Sequence, residues 1–531
     1  MPPRVVDLPA PAERVRRLAE EALGAEPDPA AAGTLVVQVR FPTGDPTPVR
    51  LRFEAPAGDR ASDPDRPRTQ VLLETDPLPP VPYFRWFVGP ILRSASKRAV
   101  GWAERALRAA EAGQPPPPPP KRPPLAPPTP FSAPQAVLLA TVCAITAAAT
   151  YGSSLLSQNV DYVGRSFGAS DRALGTALAI SRVGVLIALV ASAMADRKGR
   201  RTLMLVAVGG VCLANGVAAA APNLAVFTAG QTLMRGFANT ALIVAGIAAI
   251  EEAPEGARAY SLALLGLAGG FGYAFGVVLL PVSDLGREAW RISFGLSAAT
   301  VLLLPSFARQ LAETRRYAGL AARDAKRGRL GEVFDPSYGG RFGVLVLTSF
   351  LFSIFSAPSA QFTNRYLADS RGFSGLDITV FRAITQGFPG VAGVVIGGRL
   401  AETRGRRPVA AIALFAGTAA QMVFFLYGSA VLWLSSSVAI VLGGVAAPAL
   451  GAFNGEMFPT EIRGTANAYL LVAGVAGSAV GLLLSGSLSD RIGLGSALAL
   501  TGIASLLASL FVLRLPETAA RSLDEVSPSE V

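Results

Sequence analysis

The chain has 531 residues, of which 51% are hydrophobic and only 16% charged, and its mean hydropathy is +0.43. A soluble domain of that length needs far more polar surface, and the net charge of +11 gathers in short loops between apolar runs, not on the single basic face that a nucleic acid would require. There is no histidine, and the two cysteines, Cys143 and Cys212, both sit inside apolar runs, which argues against metal, triad or disulfide chemistry.

The first 14 residues are polar and proline-rich with no apolar core, so no signal peptide is expected. Residues 1–112 read as a small cytosolic α+β region. A helix is predicted over 10–22, strands over 34–41, 49–54 and 69–74, and a long helix over 83–111. Phe84, Val88, Ile91, Ala95, Ala99, Trp102 and Ala106 share one face of that long helix, which is expected to pack on the strands. Pro90 marks a kink or the helix start. Residues 113–134 form a proline-rich linker, with six consecutive prolines from Pro115 to Pro120 that favour an extended, stiff spacer.

Twelve apolar runs follow, at 136–156, 174–195, 202–221, 224–250, 259–280, 292–307, 342–360, 378–398, 409–427, 431–452, 466–484 and 494–513. Most approach the roughly 20 residues that a helix needs to cross a bilayer, and only helices satisfy their own backbone there. The predicted fold is therefore an all-α membrane protein of twelve transmembrane helices. A first six-helix bundle spans 135–309, a basic cytosolic central loop 310–341, a second bundle 342–515 and a cytosolic tail 516–531. The cationic turns at 196–201 and 402–407 and the central loop are expected in the cytosol. Breaks on the other side are balanced, with Arg165, Arg365 and Arg371 against Asp161, Asp171 and Asp369 among others. Both termini then lie in the cytosol, and the protein is placed in the plasma (inner) membrane.

The two bundles repeat one another. Asp196-Arg197-Lys198-Gly199-Arg200-Arg201 returns as Glu402-Thr403-Arg404-Gly405-Arg406-Arg407. Glu251, Pro254 and Arg258 match Glu456, Pro459 and Arg463; Gly269, Gly272 and Gly276 match Gly474, Gly477 and Gly481; Glu313-Thr314 matches Glu517-Thr518; Asn159 matches Asn364. Duplicated halves enclose a cavity near the midplane. The glycines share a helix face and are expected to allow close helix approach.

These motifs resemble the major facilitator superfamily over residues 132–525, with the sugar-porter and metabolite or organic-ion symporter branches closest. The resemblance implies secondary transport of a small organic solute by alternating access, with proton symport as the coupling. A drug or metabolite efflux antiporter and a transporter-fold sensor signalling through the N-terminal region are the alternatives; an enzyme is not expected. It also implies a cytosolic gate of two clusters. One holds Asp196, Arg197, Arg200, Glu251, Arg258 and Glu313, the other Glu402, Arg404, Arg406, Glu456, Arg463 and Glu517.

Three arginines fall inside apolar runs: Arg182, Arg235 and Arg382. A cation in hydrocarbon costs about 2.5 kcal/mol or more, so such residues face cavities or partners. Arg235 also fits the fourth-span arginine of the resembled family. Gln231, Asn239, Gln361, Asn364 and Gln386 are expected to complete a polar substrate cavity that prefers an organic anion. Outer acids Asp161, Asp171 and Asp377 are the alternative partners of these arginines. The seventh-span stretch Ser359-Ala360-Gln361-Phe362-Thr363-Asn364 lacks the paired glutamines of sugar porters, which argues against a hexose. No P-loop is present, so ATP does not drive the transport. Expected partners are a small-molecule substrate, protons and the lipid bilayer; no nucleic acid, metal or cofactor is expected, and the protein is expected to be a monomer.

Overall fold

The computed structural model describes residues 3–40, 47–54, 68–75, 80–121, 126–127, 129, 131–188, 199–254, 257–313, 336–458 and 460–517; the side chains of 258–259, 336–338, 395, 398–399, 402–403, 448, 451–456 and 460–465 fall outside that description. The chain forms two compact units, one of residues 1–144, 246–267 and 309–316, the other of 145–245, 268–308 and 317–531.

In the first unit, strands β1 (Arg4–Leu8), β2 (Glu26–Pro27), β3 (Thr34–Val39), β4 (Thr47–Glu54) and β5 (Thr69–Thr75) form an antiparallel sheet in the order β1-β5-β4-β3-β2. Alternate residues Leu35, Val37, Val49, Leu51, Val71 and Leu73 point to one face. Helices α1 (Ala12–Leu23) and α2 (Arg85–Glu111) cover that face. Of the expected α2 stripe, Ala99 packs there with Trp102 partly buried beside it, and Val100, Ala103 and Leu107, which the stripe did not include, supply the rest; Trp86, at the other end, is 70% exposed. The helix runs through Pro90. Strands β1 and β2 were not in the sequence-based expectation. β2 is two residues long and ends in proline, and β1 lies in a stretch whose prolines mask its alternation.

The apolar runs become α3 (Ala133–Phe167), α4 (Asp171–Arg182), α5 (Arg200–Ala219), α6 (Leu224–Glu252), α7 (Arg258–Val278), α8 (Trp290–Ala299), α9 (Leu304–Gln310), α10 (Pro336–Arg365), α11 (Gly375–Arg382), α12 (Phe388–Thr403), α13 (Arg406–Leu426), α14 (Ser429–Glu456), α15 (Thr460–Ile492) and α16 (Leu494–Val512). Among the described residues, ten helices are long and apolar enough to cross a membrane. The remaining two expected spans are the second, represented by α4, with 189–198 outside the described residues, and the eighth, divided between α11 and α12. The sixth is interrupted by a tighter helical stretch, Thr300–Leu303. The seventh begins at Pro336, inside the expected central loop. Large apolar side chains such as Leu213, Leu302 and Phe388 are exposed, as a lipid-facing surface requires.

Two wide helical turns of i→i+5 type interrupt the second half, at Tyr366–Ser370 and Ala383–Gly387. Pro389 explains the latter: it has no N–H, and its ring cannot pass the carbonyl four residues back in a regular helix.

The duplication is visible in the backbone. Gly199 and Gly405 precede α5 and α13 with φ of 86° and 93°, a region where a Cβ is strained. Gly168 and Gly372 are likewise positive in φ, at 63° and 72°. Each is followed by a serine cap: Ser170 accepts from Ala173 N–H, and Ser374 forms a reciprocal capping box with Asp377. A Cβ on Gly272 would stand 2.1 Å from the Ala147 carbonyl oxygen, and one on Gly477 2.1 Å from that of Phe350. Small residues therefore let α7 meet α3 and α15 meet α10 backbone to backbone.

In the second unit, the end opposite Gly199 and Gly405, here the distal end, holds an apolar core drawn from both halves. Leu155, Val160, Trp290 and Phe294 of the first pack in one cluster with Phe362, Tyr366, Phe381 and Phe424 of the second. The rings meet edge to face, as for Trp290 on Phe294 with centroids 5.6 Å apart.

Candidate functional site

Arg382 ends α11, just before the wide turn, and is 5% exposed. Its Nε donates to Asn364 Oδ1 at 2.7 Å and its Nη1 to Gln386 Oε1 at 3.2 Å. Nη1 also donates to the Tyr273 hydroxyl of α7, in the first half. All three partners are neutral, so the positive charge is held in place but not cancelled. Beside it opens a cavity of about 300 Å³, lined by Tyr273, Phe352, Phe355, Ser359, Gln386 and Gln421 among others. The arrangement offers a fixed cation, two hydrogen-bonding amides and aromatic walls, a setting suited to a small planar anion. Of the amides named from the sequence, Asn364 and Gln386 lie against Arg382. Gln361 is buried, its Oε1 without a partner. Tyr273 and Gln421 were missed: both are polar groups in otherwise apolar helices, and nothing in their local pattern marks them.

Arg182 and Arg235 lie in the first half, where α4 and α6 cross. A Cβ on Gly236 would come within 2.8 Å of the Gly184 carbonyl oxygen, two residues beyond α4, so the chain leaving α4 touches α6 here. Each Nε is buried without a hydrogen-bond partner. Gln231 donates to Asn215 Oδ1, and Asn239 to the Arg235 carbonyl one turn back.

The distal acids partner other arginines. Asp161 of α3 meets Arg365 Nη1 at 3.3 Å and Arg165 Nη2 at 3.2 Å. Asp369 meets the same two residues, at 3.4 and 2.7 Å. Asp171 of α4 accepts from Arg365 Nε at 2.5 Å and from Ser489 Oγ of α15 at 2.5 Å. Gly164 makes room, since a Cβ there would strike Arg365 Nη1 at 2.8 Å. Asn364 donates to both Gln158 O and Gln158 Oε1, and Tyr162 donates to Asp284, which also accepts from Gly375 N–H. The two halves are thus joined by ion pairs above the apolar core. The sequence reading counted these charges as loop balance and offered Asp161 and Asp171 as partners of the arginines inside the spans. The residues of each bridge are 204 positions apart, the spacing that also separates Gly168 from Gly372.

Of the gate residues, Asp196 and Arg197 lie outside the described residues, as do the side chains of Arg258, Glu402, Glu456 and Arg463. Arg200 is buried at the start of α5. Arg404 is exposed, Arg406 half-buried, and Glu251 and Glu313 are half-buried in the first unit. Glu517 accepts the N–H groups of Arg406 at 2.8 Å and Arg407 at 3.1 Å. It therefore caps α13 by satisfying two of the N–H groups that a helix start leaves open.

Similarity to known proteins follows this geometry. The chain is 25% identical over 379 residues to a probable 4-methylmuconolactone transporter of Cupriavidus pinatubonensis (strain JMP 134 / LMG 1197), covering 66% of this chain and 85% of that one. It is 27% identical over 399 residues to the gallate transporter of Pseudomonas putida, covering 66% and 84%. Its fold matches the inward open xylose transporter XylE from E. coli with a TM-score of 0.59 at 18% identity, over 73% of this chain and 99% of that one. The model of the Major Facilitator Superfamily matches residues 139–389 and 345–529, both halves of the helical region, and the chain belongs to that superfamily.

Proposed function

We propose that this secondary transporter of a small organic solute carries an organic anion, and that the Arg382 cavity receives its carboxylate. The observation that carries this reading is the uncancelled charge of Arg382, held by Asn364, Tyr273 and Gln386 and nearly closed off from solvent. A buried cation without an acid is costly, and a bound carboxylate would relieve that cost through the paired geometry that guanidinium favours. Phe352 and Phe355 supply apolar walls for a ring. Arg182 and Arg235, whose buried Nε atoms have no hydrogen-bond partner, would add to the positive field that draws an anion in from the other half. The relatives named for gallate and 4-methylmuconolactone carry small organic acids, which supports the same class. Proton symport is the proposed coupling, with the gate clusters of the repeated turns closing the cytosolic side.

Competition for uptake into proteoliposomes tests the substrate class. Benzoate and hydroxybenzoates are expected to compete, and xylose and organic cations are not. A neutral sugar as the best competitor overturns the reading. Uptake unaffected by a protonophore and by pH overturns the coupling.

A further inference from the structure

Among the described residues, the distal ion pairs contain one carboxylate more than they can neutralise. Asp161, Asp171 and Asp369 face two guanidiniums, Arg165 and Arg365. Tyr162, beside Asp161 on the same helix, donates its proton to Asp284 and neutralises nothing. Ser489, from α15, is a neutral donor. The three acids differ in what they hold. Asp171 takes the Arg365 Nε and the Ser489 hydroxyl. Asp369 takes Arg165 at 2.7 Å and is 36% exposed. Asp161 is 2% exposed, and its Oδ2 has no hydrogen-bond donor. That oxygen sits 3.2 Å from Arg165 Nη2 without hydrogen-bond geometry. The same Nη2 lies 2.7 Å from Asp369 Oδ1, so the two carboxylates crowd one nitrogen. Two carboxylates sharing one site are stable when one proton is kept between them.

We propose that the closed distal joint is a proton-binding site, in which one proton is held between the carboxyl groups of Asp161 and Asp369. When the halves part at this end, both carboxylates meet water and the proton leaves to that side. Closing the joint therefore takes up one proton, and acid on that side favours the closed form. Asp171 does not serve, because its two donors already satisfy the ionised form. By the charge of the loops the distal side is the external one, so the joint would read external acidity.

The inference rests on the distal end opening during transport, and not on the nature of the substrate. It is tested on the full chain in nanodiscs, with Cys143 and Cys212 replaced by alanine and spin labels at Leu285→Cys and Leu376→Cys. These exposed residues adjoin Asp284 and Gly375, which bond across the joint at 2.8 Å. Dipolar broadening of the spectrum reads closure without any ligand. Between pH 8 and pH 5 the closed-to-open ratio should rise, by up to about tenfold per pH unit for one proton. Asp161→Asn leaves two acids facing two arginines and should give a broadened spectrum at every pH. Asp369→Asn, at a more exposed position, should lose the pH dependence as well and guards against misfolding of the first variant. A wild-type spectrum that does not change with pH, or an Asp161→Asn spectrum that titrates like wild type, overturns the proposal. Neither result bears on the anion reading, which the competition assay decides by itself.

Discussion

Asp161 pairs with Arg365, 204 positions on, and Arg165 pairs with Asp369 at the same spacing with the signs exchanged. In each bridge one residue comes from the first half and the other from the second, so two bridges of opposite sense tie the halves together at one end.

Removing Arg365 should leave Asp161 and Asp171 without their shared cation. Breaking a buried pair on one side costs about 3–5 kcal/mol. Arg365→Gln should therefore lower the thermal unfolding midpoint clearly. Arg365→Gln combined with Asp161→Asn should be less destabilised than Arg365→Gln alone, and the double-mutant cycle gives the coupling. Additive losses would show that the two do not interact.

Arg382→Gln should reduce uptake about tenfold to a hundredfold, the loss of a charge-assisted hydrogen bond worth about 1.5–3 kcal/mol. Arg382→Lys should not restore it. An ammonium cannot span Asn364, Gln386 and Tyr273 as the planar guanidinium does. Initial rates of uptake into proteoliposomes check both, with expression and melting used to confirm folding.

Gly477→Ala places a methyl group 2.1 Å from a backbone oxygen, which no rotamer relieves. A loss of about 1–3 kcal/mol or more is expected from such overpacking. Gly474→Ala meets only the Ser349 and Ser353 hydroxyls, at 3.2 and 3.3 Å, and should lose less. The order of the two melting temperatures is the check.

Glu517→Gln removes a charge from the start of α13 but keeps an acceptor for Arg406 and Arg407 N–H. Glu517→Ala removes both and should cost about 0.5–2 kcal/mol, as loss of a cap does. The glutamine variant should fall between alanine and wild type in thermal unfolding.

In the N-terminal sheet, the Ala30 N–H and the Arg50 guanidinium both hold the Asp28 carboxyl below its ordinary 3.8. A carboxylate with a lowered native value stabilises the fold above the ordinary value, and that contribution fades as the pH falls through the native one. Asp28→Asn should therefore speed amide exchange in β3 and β4 at pH 7, and the difference from wild type should shrink below about pH 4. A difference that does not shrink at all on acidification would assign the effect to shape, not charge.

The spans were legible because hydrophobic length is a local property, and the paired turns because Gly199 and Gly405 recur in the same charged motif; the serine caps at Ser170 and Ser374 came only with the structure. Arg382 announced itself as a cation in an apolar run, and Gln386 as an amide four residues on in the same run. The partners supplied by distant helices were not legible. Tyr273 reaches Arg382 from 109 positions away and Ser489 reaches Asp171 from 318, and no periodicity encodes such meetings. The distal pairing was readable only by laying one half over the other and noticing reversed signs. In the N-terminal region, helix α2 was foreseen in length but not in how little of its stripe the sheet could cover.

The wide turn at Ala383–Gly387 inserts one extra residue into an otherwise continuous rod. Each residue advances a helix by about 100°, so the angular bookkeeping of α11 fails beyond it. A side chain seven positions after Arg382 does not sit above it, and Phe388, at 84% exposure, looks outward. A cysteine-labelling scan across 375–403 should thus trace two sinusoids of equal period but shifted phase, with the break at the turn that Pro389 enforces.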